Sequence, residues 1–161
     1  MDYLPVFLRV EGKSVVVVGG GEVALRKAQW LLKAGARVRV VAPQLHAELA
    51  RYAIDAELTH EAAAFCAAHL AEAVAVVAAT DDPAVNAAVS AAACARGIPV
   101  NVVDDAQLST FIFPAIIDRS PLIVAVSSAG HAPVLARAVR AQIEALLPAR
   151  LGAVARFMGR H

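Results

Sequence analysis

The sequence predicts an α/β fold built on a doubly wound parallel sheet, and three observations carry that expectation. An unbroken β-branched run, Ser14-Val15-Val16-Val17-Val18, leads directly into Gly19-Gly20-Gly21. Strand-like and helix-like segments then alternate, with short connections, as far as Phe113. Beyond Phe113 two strand-like stretches follow one another before the chain turns helical, which marks a small α+β segment behind the first domain.

Each element has its own signal. Ser14 to Val18 lacks polar alternation, as expected of a parallel strand covered on both faces. A helix is expected from about Glu22 to Ala34, because Gly35 is a natural helix-ending residue. Arg37 to Val41 is the second strand. Pro43 then interrupts, and a helix over about 44–54 carries the chain back. Glu57 to His60 reads as a short third strand, and Val74 to Ala79 as a buried fourth. Asp82-Pro83 opens a long helix, with Asp82 placed to cap and proline at a first-turn position. That helix stops at Gly97, and Pro99 to Val103 is the fifth strand. Phe113 to Asp118 and Leu122 to Ser127 form two further strands through Arg119-Ser120-Pro121. A helix over 132–147, begun near Pro133 and broken by Pro148, precedes a last helical piece. The expected division is therefore residues 1–113, 114–147 and 148–161.

Composition bounds the function classes. The chain has 161 residues, room for one domain plus an appendage, and needs no disulfide or structural metal to fold. Cys66 and Cys94 sit apart in alanine-rich helical surroundings and read as buried thiols rather than a bridge or ligands. The longest apolar stretches, such as Ala73 to Ala79, fall far short of the roughly 20 residues a membrane helix needs. The start, Met1-Asp2-Tyr3-Leu4-Pro5, lacks the basic and apolar regions of a signal peptide, so a cytoplasmic protein is expected. A net charge of +1 with interspersed signs argues against a nucleic-acid binder. One asymmetry stands out. From Arg119 onward Arg119, Arg137, Arg140, Arg150, Arg156 and Arg160 face a single acid, Glu144. Such a segment serves an acidic small molecule or is a solvated surface.

The glycine run carries the chemistry. Gly19-Gly20-Gly21-Glu22-Val23-Ala24 fits G-x-G-x-x-A between a buried strand and a helix. Gly19 makes the tight turn, Gly21 lets backbone approach a pyrophosphate, and Ala24 lets helix and strand pack closely. Free N–H groups at the helix start receive the negative charge. This context points to a Rossmann-type dinucleotide site. The usual acid about 20 residues on is missing, however. Val40-Val41-Ala42-Pro43-Gln44 stands there, so Gln44 or backbone groups would bind the ribose, and no arginine is obvious for a 2′-phosphate. NAD is therefore favoured over NADP. Thr80, at the end of the fourth strand, is a candidate for the nicotinamide side. Asp104-Asp105 ends the fifth strand at the same edge, either as a base for proton transfer or as a solvated pair.

Several segments together resemble the N-terminal half of siroheme synthase and its stand-alone relatives, the precorrin-2 dehydrogenase/sirohydrochlorin ferrochelatase family. They are Met1-Asp2-Tyr3-Leu4-Pro5-Val6-Phe7, the glycine run with Arg26-Lys27-Ala28, Ala78-Ala79-Thr80-Asp81-Asp82 and Asn101-Val102-Val103-Asp104. Phe111 to Leu122, Val126-Ser127-Ser128 and Pro133-Val134-Leu135-Ala136-Arg137 complete the set, which spans essentially the whole chain.

The resemblance implies an NAD-binding first domain, with Glu22 and Val23 against the pyrophosphate and Pro43 and Gln44 near the adenosine ribose. It implies Asp104 as catalytic aspartate and the strands after Phe113 as a homodimer interface. The implied substrate is precorrin-2, oxidised to sirohydrochlorin, with ferrous iron as a further substrate in members that make siroheme. Asn101, Arg119, Ser128, His131, Arg137 and Arg140 would then contact the tetrapyrrole, the arginines gripping its acetate and propionate arms. Two departures stand beside this. Ala129-Gly130-His131-Ala132 replaces the family's glycine pair and small hydroxyl residues, and the family continues past the point where this chain stops. No His/Cys cluster offers a resident metal site. The rival reading from another class is a regulatory module that senses NAD without catalysis, and a second is a dehydrogenase of an unrelated small substrate.

Overall fold

β1 (Ser14–Val18) lies at the centre of a five-stranded, all-parallel sheet, and its four valines are buried. In the computed structural model, which describes residues 1–159, that sheet runs in the order β3-β2-β1-β4-β5. Its other strands are β2 (Arg37–Val41), β3 (Thr59–Glu61), β4 (Ala73–Ala78) and β5 (Val100–Val102). Chain order reverses between β1 and β4, so the crevice of this doubly wound sheet opens beside the carboxyl ends of those two strands. The helices α1 (Glu22–Lys33), α2 (Ala47–Ile54) and α3 (Pro83–Cys94) connect the strands. α1 buries Ala24, Leu25, Ala28 and Leu31 at helical spacing, and α3 buries Val89, Ser90 and Ala93. Val16, Val18, Val41, Val76, Val100 and Val89 lie in one continuous apolar cluster. The alanines there let α3 pack close to the sheet.

Where boundaries differ from the expected ones, local hydrogen bonds explain the shift. α2 begins after His46 rather than at Gln44, because His46 N–H donates to the Gly20 carbonyl at 2.6 Å and ties the bend at Pro43 and Gln44 to the glycine run. β3 begins at Thr59, because Glu57 and Leu58 N–H groups still close onto the Tyr52 carbonyl at the end of α2. The cysteines are free thiols, but exposed rather than buried: Cys94 ends α3 and Cys66 precedes a short 3-10 turn.

β5 is a short edge strand, and its outer side is covered by the returning chain. Val100 N–H donates to Thr110 Oγ1 at 2.8 Å and Val102 N–H to Ser109 Oγ at 2.8 Å. Thr110 N–H in turn donates to the Val100 carbonyl at 2.8 Å.

The chain divides into two units, Pro5–Phe111 and a second that joins Met1–Leu4 to the chain from Ile112 onward. In the second unit β6 (Ala115–Arg119) pairs antiparallel with β7 (Leu122–Val126), and α4 (Pro133–Leu146) packs on both. β6 starts two residues later than expected, after Pro114, which has no N–H for a ladder. α5 (Leu151–Met158) crosses the hairpin at Gly152, where any Cβ would collide with the Arg119 and Ser120 carbonyl oxygens. Arg160, counted among the basic residues, and the last residue of the expected 148–161 segment lie outside the described residues. Among the described residues no helix is long and apolar enough to cross a membrane.

Candidate dinucleotide site

Four strand ends, those of β1, β2, β4 and β5, and the loops that leave them build the site at the carboxyl edge of the parallel sheet. After β1 the chain turns at Gly19, whose φ of 121° belongs to glycine, and Gly19 N–H donates to the Val41 carbonyl at 3.0 Å. A methyl at Gly19 would strike the Ala79 carbonyl, and one at Gly20 the Gln44 carbonyl. A Cβ at Gly21 would meet nothing within 4 Å. So Gly19 and Gly20 are glycines for packing, whereas Gly21 borders open space.

Gly21 is also the N-cap of α1, with no side chain to offer the helix. The first intrahelical bond is Leu25 N–H to the Gly21 carbonyl at 3.0 Å. The N–H groups of Glu22, Val23 and Ala24 are therefore capped by no side chain, and the positive end of the helix faces the space that Gly21 leaves open. A bare helix start beside open space fits the pyrophosphate of a dinucleotide.

The neighbouring turn after β4 is closed. Thr80 Oγ1 donates to Asn86 Oδ1 at 2.8 Å, and Asn86 Nδ2 returns a bond to the Thr80 carbonyl at 2.9 Å. Asp82 Oδ1 accepts from Ala84 N–H at 2.8 Å, which caps α3 as its position beside Pro83 predicts. The Thr80 hydroxyl is thus engaged within its own turn. At the end of β2 Pro43 and Gln44 are exposed, and no carboxylate stands among residues 37–47. His60 Nε2 contacts the Ala42 carbonyl at 2.9 Å beside them.

After β5 the two aspartates part company. Asp105 Oδ1 accepts from Gln107 N–H at 2.9 Å and Leu108 N–H at 3.0 Å, so this carboxylate shapes its own loop. Asp104 is exposed and holds a left-handed backbone, φ 60°, a region in which aspartate is one of the commoner non-glycine residues. Asn101, buried on β5, donates from Nδ2 to the Phe111 carbonyl at 3.1 Å.

One residue of this edge escaped the sequence reading. Lys27 lies half-buried on α1, three residues after Ala24 and four before Leu31, at the rim of the helix's buried face. Burial holds its ammonium below the ordinary lysine range, and Arg26 pushes it further the same way. The Asp104 carboxylate opposes both. The signal was present in the sequence, since a lysine at that spacing falls beside apolar positions rather than opposite them.

The remaining candidate residues belong to the second unit. Arg119 Nη2 lies 3.3 Å from Glu144 Oε1, and its Nε donates to the Leu147 carbonyl at 3.3 Å. Arg140 Nη1 lies 2.8 Å from Glu144 Oε2, and its Nε donates to the Ile116 carbonyl at 3.2 Å. Glu144 thus joins α4 to β6 through Arg119, while Arg140, paired with Glu144 on α4 itself, reaches β6 at the Ile116 carbonyl. Ser128 Oγ accepts from Ala132 N–H at 3.0 Å, ahead of α4. His131 and Arg137 are exposed, with His131 Nε2 3.7 Å from Asp2 Oδ2. Among the described residues no group of three or more His, Cys, Asp or Glu is arranged to hold a metal.

Comparison with known proteins agrees with this geometry. Residues 6–115 match the family model described as "Putative NAD(P)-binding". Siroheme synthase of Tolumonas auensis is 56% identical over 159 residues, 99% of this chain and 34% of that protein. Siroheme synthase 1 of Aeromonas salmonicida is 58% identical over 159 residues, again 99% of this chain and 34% of the relative. The chain thus spans about a third of the length of the curated relatives it matches. Among solved structures, "SirC, precorrin-2 dehydrogenase" superposes with a TM-score of 0.83 and 26% identity, covering 98% of this chain and 78% of that one. The chain belongs to the family described as putative NAD(P)-binding.

Proposed function

We propose that this chain is an NAD-dependent dehydrogenase module that oxidises precorrin-2 to sirohydrochlorin in the cytoplasm. The observation that carries the reading is the placement of the bare α1 start and the exposed Asp104 carboxylate on one edge of one sheet. Similarity to a precorrin-2 dehydrogenase over nearly the whole chain supports the choice of substrate.

The oxidation takes two hydrogens from the macrocycle, one as hydride and one as proton. Bound NAD supplies the hydride acceptor. The Glu22, Val23 and Ala24 N–H groups would hold the pyrophosphate, and Pro43 and Gln44 would lie near the adenosine ribose, with Gln44 or backbone groups in place of a carboxylate. Asp104 takes the proton. Asn101 fixes β5 against Phe111 and so sets the strand from which Asp104 projects. Arg137, exposed on α4, together with Ser128 and His131, offers contacts for the substrate's carboxylate arms. Arg119 and Arg140 support α4 from their place on Glu144. The second unit exposes Leu122, Val134, Leu135, Leu146 and Phe157, apolar surface that suits a homodimer interface.

The test is anaerobic incubation with precorrin-2 and NAD, following NADH absorbance and the pigment spectrum. Asp104→Asn is expected to lower kcat by about 10²-fold to 10⁴-fold, as for loss of a general base, with NAD affinity intact. Ferrous iron added as a further substrate reads insertion in the same assay, where Asp104 would take pyrrole protons. A parent protein that binds NAD but leaves precorrin-2 unchanged overturns the reading in favour of an NAD-sensing module.

A further inference from the structure

We propose that Ser109 is a positioning residue of this site: its hydroxyl clasps the turn that presents Asp104 and so sets where that carboxylate stands. This role deepens the proposed function and rests on Asp104 as proton acceptor.

Among the described residues the Asp104 carboxylate makes no hydrogen bond, so its place is set by its backbone. That backbone is a two-residue turn. Val103 and Asp104 lie between Val102 and Asp105, which face each other as an isolated antiparallel bridge. Asp104 takes its left-handed φ of 60° at the second place of the turn. One hydrogen bond closes the turn directly, from Asp105 N–H to the Val102 carbonyl, and at 3.2 Å it stands at the long end for an N–H donor.

The second closure runs through Ser109. Its Oγ accepts from Val102 N–H at 2.8 Å and donates to the Asp105 carbonyl at 2.6 Å, with the Val102 carbonyl 3.1 Å away. One hydroxyl thus joins both ends of the turn, as an ordered water would, and its contacts to Val102 N–H and the Asp105 carbonyl are shorter than the direct bond. Ser109 is itself held in place. Asp105 Oδ1 accepts from the Gln107 and Leu108 N–H groups, and Ser90 Oγ, on a buried residue of α3, donates to the Leu108 carbonyl at 2.6 Å. A continuous path therefore leads from α3 through Leu108 and Ser109 to the turn. Thr110 supplies a built-in comparison. Its Oγ1 accepts from Val100 N–H at 2.8 Å, so it covers the same strand edge but bonds outside the turn.

Two measurements on the full chain test the role. Amide hydrogen exchange by NMR needs no turnover. Ser109→Ala is expected to speed exchange at Val102 and Asp105 by about tenfold or more, while Val76, whose N–H donates to the Pro99 carbonyl, keeps the parent's rate. Unchanged exchange at Val102 and Asp105 overturns the clasp, whatever Asp104 does in catalysis. Kinetics with precorrin-2 and NAD give the second reading. Ser109→Ala is expected to lower kcat by about 10-fold to 100-fold, as for a reacting group displaced by about 1 Å, with the NAD dissociation constant and the KM for precorrin-2 within about twofold. Ser109→Thr keeps the hydroxyl and is expected to recover most of the loss, and Thr110→Val to stay within about twofold of the parent. In an Asp104→Asn background Ser109→Ala is expected to add no further loss, because a displaced base and an absent one fail at the same step. The same fold-loss in both backgrounds, or an equal loss in Thr110→Val, overturns the positioning role and leaves the base assignment standing. If Asp104→Asn turns over like the parent, the base assignment fails and the positioning role falls with it, while the exchange rates still report the clasp.

Discussion

The turns after β1 and β4 occupy adjacent places on the same sheet edge, yet they treat their helix starts in opposite ways. After β4 the donors are satisfied by protein: Asp82 caps α3, and Thr80 and Asn86 close on each other. After β1 three glycines stand where those side chains would be, and α1 begins without a cap. The contrast separates two uses of one motif. A capped start stabilises its helix and is closed to anions. A bare start forgoes about 1 kcal/mol of capping and keeps its N–H groups for a ligand.

Substitutions can break that contrast in order of severity. Gly20→Ala drives a methyl into the Gln44 carbonyl and is expected to cost at least about 3 kcal/mol, read as a fall of roughly 6 °C or more in Tm. Gly21→Asp makes the first turn imitate the second. It is expected to leave Tm equal or slightly raised while weakening NAD by about 100-fold, because the new carboxylate occupies the N–H groups and repels the pyrophosphate. An unchanged NAD dissociation constant by calorimetry would show that α1's start is not the anion site. The smallest effect is expected at the turn already closed. Asp82→Ala should lose about 1 kcal/mol, or about 2–4 °C of Tm, and leave NAD affinity within about twofold.

The contrast was partly legible in the sequence. The β-branched run into three glycines fixes the strand, the turn and the helix start through local sterics alone, and Asp82-Pro83 announces its own cap in the same way. α2's start was not legible, because the His46 bond to Gly20 joins residues that meet only when the sheet forms. The same limit applies to the arginines. The basic excess after Arg119 was plain, and the i,i+4 spacing of Arg140 and Glu144 could be read, but nothing in the sequence shows that Arg119, on a strand, reaches the same carboxylate. Lys27 is the instructive intermediate. Its place beside the apolar positions of α1 was readable, whereas the Asp104 charge that partly offsets its burial comes from a loop 77 residues later in the chain (104 − 27).

The cover over β5 bears on how copies of this protein can meet. A sheet edge with unpaired N–H and C=O groups is a template for another strand, and it is a common route to unintended fibres as well as to dimers. Here Ser109 and Thr110 use side-chain oxygens and their own backbone to occupy β5's outward groups. The segment that bends back after Asp104 therefore does more than present a carboxylate. It stops the parallel sheet from growing at that side, so a second copy cannot join there by adding a strand and association must use another surface.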